Sequence, residues 1–374
     1  FVQAMAVADC AIVVTSGSGS LTVGTEKMLD YCVANKVPAM VFVSGMDKEN
    51  ANFYTTLDAI QQKYGTKIAP MMLPLMQGGK MQGYANIADG KYYPFGSHGE
   101  NGQPIPVELA EKYNEIKAIV MEKAAESDEE LMMEFFDKGE LSEEQIIAGI
   151  KAGVRDGSAI TVFGGSGLAN NGVFNLMNNI IKFMPSADEA KPIVAKDAAD
   201  KEVTISVDEK APVVLRIFKT IADPFVGRLS LFKVLRGTLK SGITLKNPNK
   251  DGDEKISTIY FLKGKKQETV DCAYAGDIGA LAKLSNTTTG DTLCEGAALY
   301  LPPIVMPTPV LNMAVYATKK GDEDKIFAGL NRLKDEDISF NVVKNAETNE
   351  MLLCGVGETQ LDILCRKLKN KFGV

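Results

Sequence analysis

Tryptophan is absent from the 374 residues, histidine occurs once, and aromatics reach only 7%. A chain so poor in flat rings offers no extended platform for stacking single-stranded nucleic acid. A single histidine, His98, nearly excludes histidine-ligated zinc and histidine-based triads. None of Cys10, Cys32, Cys272, Cys294, Cys354 and Cys365 forms a C-x-x-C pair, and most lie in apolar runs. They read as buried thiols of a reducing, cytoplasmic compartment rather than as disulfides or metal ligands. No apolar run reaches the ~18 residues of a membrane span. The opening Phe1-Val2-Gln3 has neither a Met nor a basic segment, which predicts no signal peptide and further chain upstream. Excess positive charge is lacking as well. With 41 Lys+Arg against 48 Asp+Glu, the net −7 rules out binding DNA by charge alone.

What is present is globular: 45% hydrophobic and 24% charged residues can bury a core. At roughly 100–200 residues per domain, the length predicts two or three domains. Charge divides along the chain. Residues 1–190 hold 14 basic and 24 acidic side chains, net −10, and the remaining 184 hold 27 and 24, net +3. An acidic front and a mildly basic back suit a multidomain protein that touches RNA with part of its surface.

Residues 10–15 and 39–43 are short β-branched runs of the kind buried on both faces of a parallel sheet. Helices are expected at 25–35, with Met28, Leu29 and Cys32 at helical spacing, and at 50–64, with Phe53, Leu57 and Ile60 on one face. A further strand is expected at 68–75, so the beginning is α/β with a parallel sheet. Residues 76–105, rich in Gly, Tyr and Pro, read as an irregular excursion. A helical insert follows at about 106–153, with Asp128 and Ser142 as N-caps. A strand at 158–163 and a helix at 172–184 complete the pattern. Residues 186–210 read as a linker. Short β-rich runs at 213–217, 228–235, 243–245, 255–261 and 278–284 suggest a small closed barrel. After a second, proline-rich linker at 302–309, the order strand, helix, hairpin, helix predicts a ferredoxin-like β-α-β-β-α-β domain lacking its last strand.

No segment fits the phosphate loop G-x-x-x-x-G-K-S/T. Gly78-Gly79-Lys80-Met81 lacks the first glycine and the hydroxyl. Residues 17–24 space their glycines as G-x-G-x-x-x-x-G, not as the dinucleotide fingerprint, and read as a flexible connection. More telling is Ser44-Gly45-Met46-Asp47, directly after an apolar strand, because strand C-termini of open α/β sheets are where ligands sit. A carboxylate there could accept two hydrogen bonds from a guanine edge, or it could simply cap the next helix.

Three stretches together resemble the elongation factor G family of translational GTPases. Val43-Ser44-Gly45-Met46-Asp47 and Asn50-Ala51-Asn52-Phe53 are similar to V-N-K-M-D…G-A-N-F. The second stretch is Asp223-Pro224-Phe225-Val226-Gly227-Arg228, with Ala275-Gly276-Asp277-Ile278 and Thr287-Thr288-Thr289-Gly290-Asp291-Thr292-Leu293. The third, Gly355-Val356-Gly357-Glu358-Thr359-Gln360-Leu361-Asp362, resembles G-M-G-E-L-H-L-E. The resemblance implies the later part of a GTP-binding domain at 1–190, a β-barrel second domain at 205–303 and an incomplete ferredoxin-like third domain at 307–374. It implies a ribosome-binding GTPase of translocation, acting on GTP or GDP in the cytoplasm. Its phosphate loop and Mg²⁺-binding residues, and its fourth and fifth domains, fall outside this stretch. Mg²⁺ is therefore expected only in a complete protein, GTP hydrolysis is not expected of these residues alone, and no membrane or DNA partner is implied.

Two departures stand out. The family's Asn-Lys-x-Asp has become Ser44-Gly45-Met46-Asp47, and a third-domain histidine has become Gln360. The family's Gly-Ser-Ala loop is Gly165-Ser166-Gly167. The candidate base site is therefore Ser44, Gly45, Met46, Asp47, Ser166 and Gly167, with weakened guanine affinity. A non-hydrolysing ribosome-docking module and an antibiotic ribosome-protection factor are the competing readings. His98 reads as an exposed loop residue. Glu126, Asp128, Glu129, Glu130 and Glu134 read as a solvated face, or on the resemblance as a dock for the ribosomal stalk. Arg366, Lys367, Lys369 and Lys371 make the last helix basic, for solvation or ribosomal RNA phosphate.

Overall fold

A computed structural model of the protein describes residues 1–95, 101–223, 227–264, 266–319, 321–348 and 350–374. His98, residues 224–226 of the second motif and Asn349 of the expected hairpin turn lie outside the described residues. The chain forms two compact units, Asp9–Ala190 and Phe1–Ala8 with Lys191–Val374.

After a helical turn α1 (Val2–Met5), strands and helices alternate: β1 (Ala11–Ser16), α2 (Val23–Asn35), β2 (Ala39–Ser44), α3 (Phe53–Tyr64) and β3 (Ile68–Pro70). A separate antiparallel sheet follows, β4 (Met72–Gln77), β5 (Lys80–Asn86) and β6 (Tyr92–Pro94). Then come α4 (Val107–Ala125), α5 (Glu129–Lys138), α6 (Glu143–Asp156), β7 (Ile160–Gly164) and α7 (Val173–Phe183). Strands β1, β2, β7 and β3 pair in that order, all parallel, and Val13, Val41, Val162 and Pro70 share one row.

Local chemistry sets the helix ends. Asn52 accepts the Thr55 N–H at 3.1 Å to open α3, Asp128 caps α5, and Ser142 with Gln145 forms a capping box on α6. Phe53, Leu57 and Ile60 are fully buried, each burial stabilising by about 1.5–3 kcal/mol.

Three expectations need correction. First, among the described residues β1 is the outer strand of its sheet: Ile12 and Val14 are 40% and 59% exposed, whereas every residue of β2 up to Val43 is buried. Second, 68–75 is not one strand. The pairing with β7 ends at Pro70, the Met71 N–H bonds to the Val162 carbonyl at 3.1 Å, and the chain enters another sheet. Pro74 is tolerated there because β4 is an edge strand. Third, the excursion after residue 76 is ordered. Gly78 and Gly79, with φ of 58° and 75°, make a two-residue turn whose twist matches a hairpin.

In the other unit, β8 (Ile193–Asp197) and β9 (Glu202–Ile205) form a hairpin where a linker was expected, with Ala195 and Ile205 buried beside Val214, Leu235 and Cys294. The strands continue as β10 (Val214–Asp223), β11 (Gly227–Arg236), β12 (Thr238–Lys240), β13 (Thr244–Asn247), β14 (Gly252–Lys255), β15 (Ile259–Lys263), β16 (Lys266–Val270), β17 (Cys272–Tyr274), β18 (Ile278–Ala282), β19 (Thr292–Cys294) and β20 (Leu299–Tyr300). The run expected at 255–261 is therefore two strands, broken at residues 256–258. Eight strands make one antiparallel sheet in the order β14-β13-β19-β10-β11-β18-β15-β16. Leu215, Phe232, Leu245, Ile259, Leu281 and Leu293 converge from six of them on one core.

The last segment is β21 (Leu311–Val315), α8 (Glu323–Glu336), β22 (Asn341–Lys344), β23 (Met351–Gly355) and α9 (Glu358–Phe372), the expected β-α-β-β-α order. Ile326, Leu330 and Leu333 of α8 meet Leu361, Leu364 and Leu368 of α9 in its core. No described helix is long and apolar enough to cross a membrane.

Candidate functional site

The tetrad begins at the carboxyl end of β2. Gly45 has φ +78°, a left-handed conformation that turns the chain sharply out of the strand. Backbone hydrogen bonds then stitch three loops together. The Gly17 N–H donates to the Ser44 carbonyl at 2.9 Å, and the Asn52 N–H to the Gly17 carbonyl at 2.8 Å. The Gly165 N–H donates to the Val43 carbonyl at 2.9 Å, and the Met46 N–H to the Gly165 carbonyl at 3.0 Å. The glycine loop after β1 is thus anchored, not a flexible connection.

The loop after β7 is equally constrained. Ser166 and Asn171 exchange backbone bonds at 2.8 and 3.0 Å. A Cβ on Gly165 would lie 2.3 Å from the Asn171 carbonyl oxygen, so no larger residue fits without moving the loop. The Ser166 hydroxyl accepts the Ala169 N–H at 3.0 Å and donates to Asp47. That bond, then the Asp47 backbone N–H, holds the exposed Asp47 carboxyl below the usual carboxylate range. A hydroxyl so engaged fixes an ionised, acceptor-only carboxylate at the sheet's carboxyl edge.

The carboxylate faces a cavity of about 210 Å³. Met46, Asp47, Ser166 and Asn171 line it from the two loops, and Lys80, Met81 and Phe95 from the hairpin sheet. Sites that enclose a whole drug-sized ligand run about 300–1,000 Å³, so this one has room for a base rather than an entire nucleotide. Of the six residues expected here, the fold brings together Met46, Asp47 and Ser166. Ser44 contributes its carbonyl to the loop stitching, and Ser44, Gly45 and Gly167 do not line the cavity. Sequence reasoning missed Lys80, Met81, Phe95 and Asn171. The signal that could have found two of them was the Gly-Gly pair before Lys80, a hairpin turn marker dismissed as a failed phosphate loop.

Among the described residues, no group of three or more His, Cys, Asp or Glu is arranged to hold a metal ion. The cysteines are also varied. Cys32 and Cys294 are buried, which pushes both thiols up, but Cys365 is exposed.

The other motifs are structural clips. In the second, Asp291 accepts from the Asn247 amide at 3.0 Å and the Thr288 N–H at 2.8 Å. Beside it, Glu254 accepts from the Ser285 and Asn286 N–H groups at 2.9 and 2.7 Å and from the Thr287 hydroxyl at 2.8 Å. Burial pushes the Glu254 carboxyl up, but these donors outweigh it and leave it below its ordinary value. In the third, Gln360 bridges α9 to the end of α8. On the acidic insert, Glu126 and Glu134 pair with Lys123 and Lys138, each at 2.6 Å, while α5 exposes Met133 and Phe136. On α9, Lys371 and Lys367 lie 2.6 and 3.7 Å from Glu336, so part of its positive charge is already compensated.

A parallel α/β sheet followed by β-rich domains makes this a multidomain α/β protein. Residues 1–186 match the elongation factor Tu GTP binding domain family, 212–296 elongation factor G domain 2, and 306–374 elongation factor G domain III. The chain is built of translational GTPase domains of the elongation factor G type. It is also similar to the crystal structure of a Thermus thermophilus protein, with TM-score 0.83 and 27% identity over 98% of this chain. The match spans 53% of that protein's chain, so the present chain corresponds to about half its length.

Proposed function

We propose that the protein acts as an elongation factor G-like translation factor, which binds the bacterial ribosome and guanine nucleotide and serves translocation. The observation that carries this reading is the Ser166-held Asp47 carboxylate on a base-sized cavity, in a chain whose three domain matches follow in translation-factor order. Ionised Asp47 accepts from the N1–H and N2 amino group of guanine, which adenine cannot offer. The eight-stranded sheet around a single core is read as a barrel, bounded at about 205–303. The β-α-β-β-α segment at 307–374 is read as a ferredoxin-like domain, and 1–190 as the GTP-binding domain. Ribosomal RNA and proteins, the stalk among them, are the proposed partners.

Co-sedimentation of the 374-residue chain with bacterial ribosomes tests the partner, and a guanosine-against-adenosine titration tests the base. Ribosome pelleting that falls with added salt, together with a guanosine preference lost on Asp47→Ala, is expected. Absence of both overturns the reading. Ser44 and Gly45 favour a second reading, a ribosome-docking module with a decayed nucleotide site. Pelleting without any guanosine binding selects it.

A further inference from the structure

The base reading leaves one half of a guanine unaccounted for. Asp47 matches the donors N1–H and N2, but O6 and N7 are acceptors and need donors from the protein. Several loop donors are already spent. The N–H groups of Met46, Gly165, Ser166, Ala169 and Asn171 are all engaged within the loops themselves. Ser44 and Gly45 do not reach the cavity. Among the residues lining it, Asn171 and Lys80 carry side-chain donors that could meet them.

The hairpin that carries Lys80 is well placed to act. Its two-residue turn fixes Lys80 opposite Gln77. Met81 is buried, the Phe95 N–H donates to the Gln82 carbonyl at 3.0 Å, and Tyr84 stacks on Tyr93 with ring centroids 5.6 Å apart. Phe95, half-buried, lines the same cavity.

We propose that, in the guanine site inferred above, Lys80 reads the O6 and N7 edge of the base while Phe95 covers its face, so that the hairpin sheet supplies the contacts that Ser44 and Gly45 do not. This inference rests on the base reading of Asp47. Lys48 is a useful contrast. Its aliphatic stem lies 3.5 Å from where a Gly45 side chain would begin, yet it does not line the cavity. It carries the same charge near Asp47 without the contact.

The test uses the full chain and three unphosphorylated probes, guanosine, adenosine and 7-deazaguanosine, which lacks the N7 acceptor. Affinities are read by NMR titration, with circular dichroism to confirm folding. Wild type is expected to prefer guanosine over 7-deazaguanosine. Lys80→Ala, at an exposed hairpin tip, should lose that preference and about tenfold in guanosine affinity. Phe95→Ala should weaken all bound nucleosides by about five- to 150-fold, the range for a lost base–aromatic stack. Lys48→Ala should leave guanosine binding within about twofold, a small change on that scale. If Asp47→Ala abolishes guanosine binding while Lys80→Ala keeps both affinity and the 7-deazaguanosine preference, the hairpin inference is overturned and the base reading stands. Loss on Lys80→Ala with none on Asp47→Ala overturns the Asp47 reading and leaves the hairpin contact. A wild-type chain that ignores guanosine at millimolar concentration overturns both.

Discussion

The side-chain amide of Gln360 donates to Asp337 Oδ2 at 3.0 Å, tying α9 to the end of α8. The same amide nitrogen reaches Ser339 Oγ at 2.7 Å, and its carbonyl accepts the Val356 N–H at 2.8 Å. One side chain therefore closes the turn between β23 and α9 and engages a half-buried carboxylate. Burial raises the Asp337 carboxyl, but Ser339 and Gln360 outweigh it and hold it below the usual range.

Gln360→Ala should therefore destabilise this segment by about 1–3 kcal/mol, the cost of leaving buried polar groups unmet. Hydrogen exchange of the 323–372 amides measures it. Unchanged protection at Val356 and through α9 would show that the bridge is incidental.

Acid should loosen both clips. Glu254 and Asp337 have folded-state values below their ordinary ones, near 4 for such groups. Their stabilisation is thus present above about pH 4 and disappears as pH falls through the depressed values. Glu254→Gln, whose amide cannot accept all three donors, should cost about 1–3 kcal/mol at pH 7 and flatten the acid limb. Urea midpoints between pH 3 and 7 would contradict this if wild type and variant run parallel.

For the tetrad, sequence arithmetic suggests that restoring Asn and Lys at 44 and 45 recovers roughly 2–3 kcal/mol, or ~30–150-fold in guanine binding. The backbone revises that. At φ +78°, a side chain on residue 45 costs about 1–2 kcal/mol, which offsets the ~1 kcal/mol of stem contact. Ser44→Asn alone is expected to tighten guanosine binding about tenfold at most, and adding Gly45→Lys to gain nothing further. A double variant clearly tighter than the single one would refute the strain argument.

Proteolysis should follow the folded hairpin rather than the composition. Residues 302–310 carry no regular structure, and Val305 is 78% exposed, so thermolysin should cut there first. Residues 193–205 should resist, because Ala195 and Ile205 are buried. Early cleavage inside that hairpin would count against its packing.

Features decided between near neighbours were legible in the residues themselves. Asp128, Ser142 with Gln145, and the Phe53, Leu57 and Ile60 stripe act over three or four positions, so contiguous sequence carries them. The order of elements at 10–64 and from β21 to α9 followed from the same short-range periodicities, and Asp47 was marked by its place after an apolar strand. Tertiary structure alone decided that, among the described residues, Ile12 and Val14 are exposed while Val13 is buried. It alone joined Glu254 to residues 285–287, and Lys80 and Phe95 to Asp47. Those pairings form between residues distant in sequence, and the only local trace of the last was a Gly-Gly turn. Their geometry depends on which sheet each strand joins, and that is settled by burial and pairing across the whole fold, which no short stretch of sequence displays.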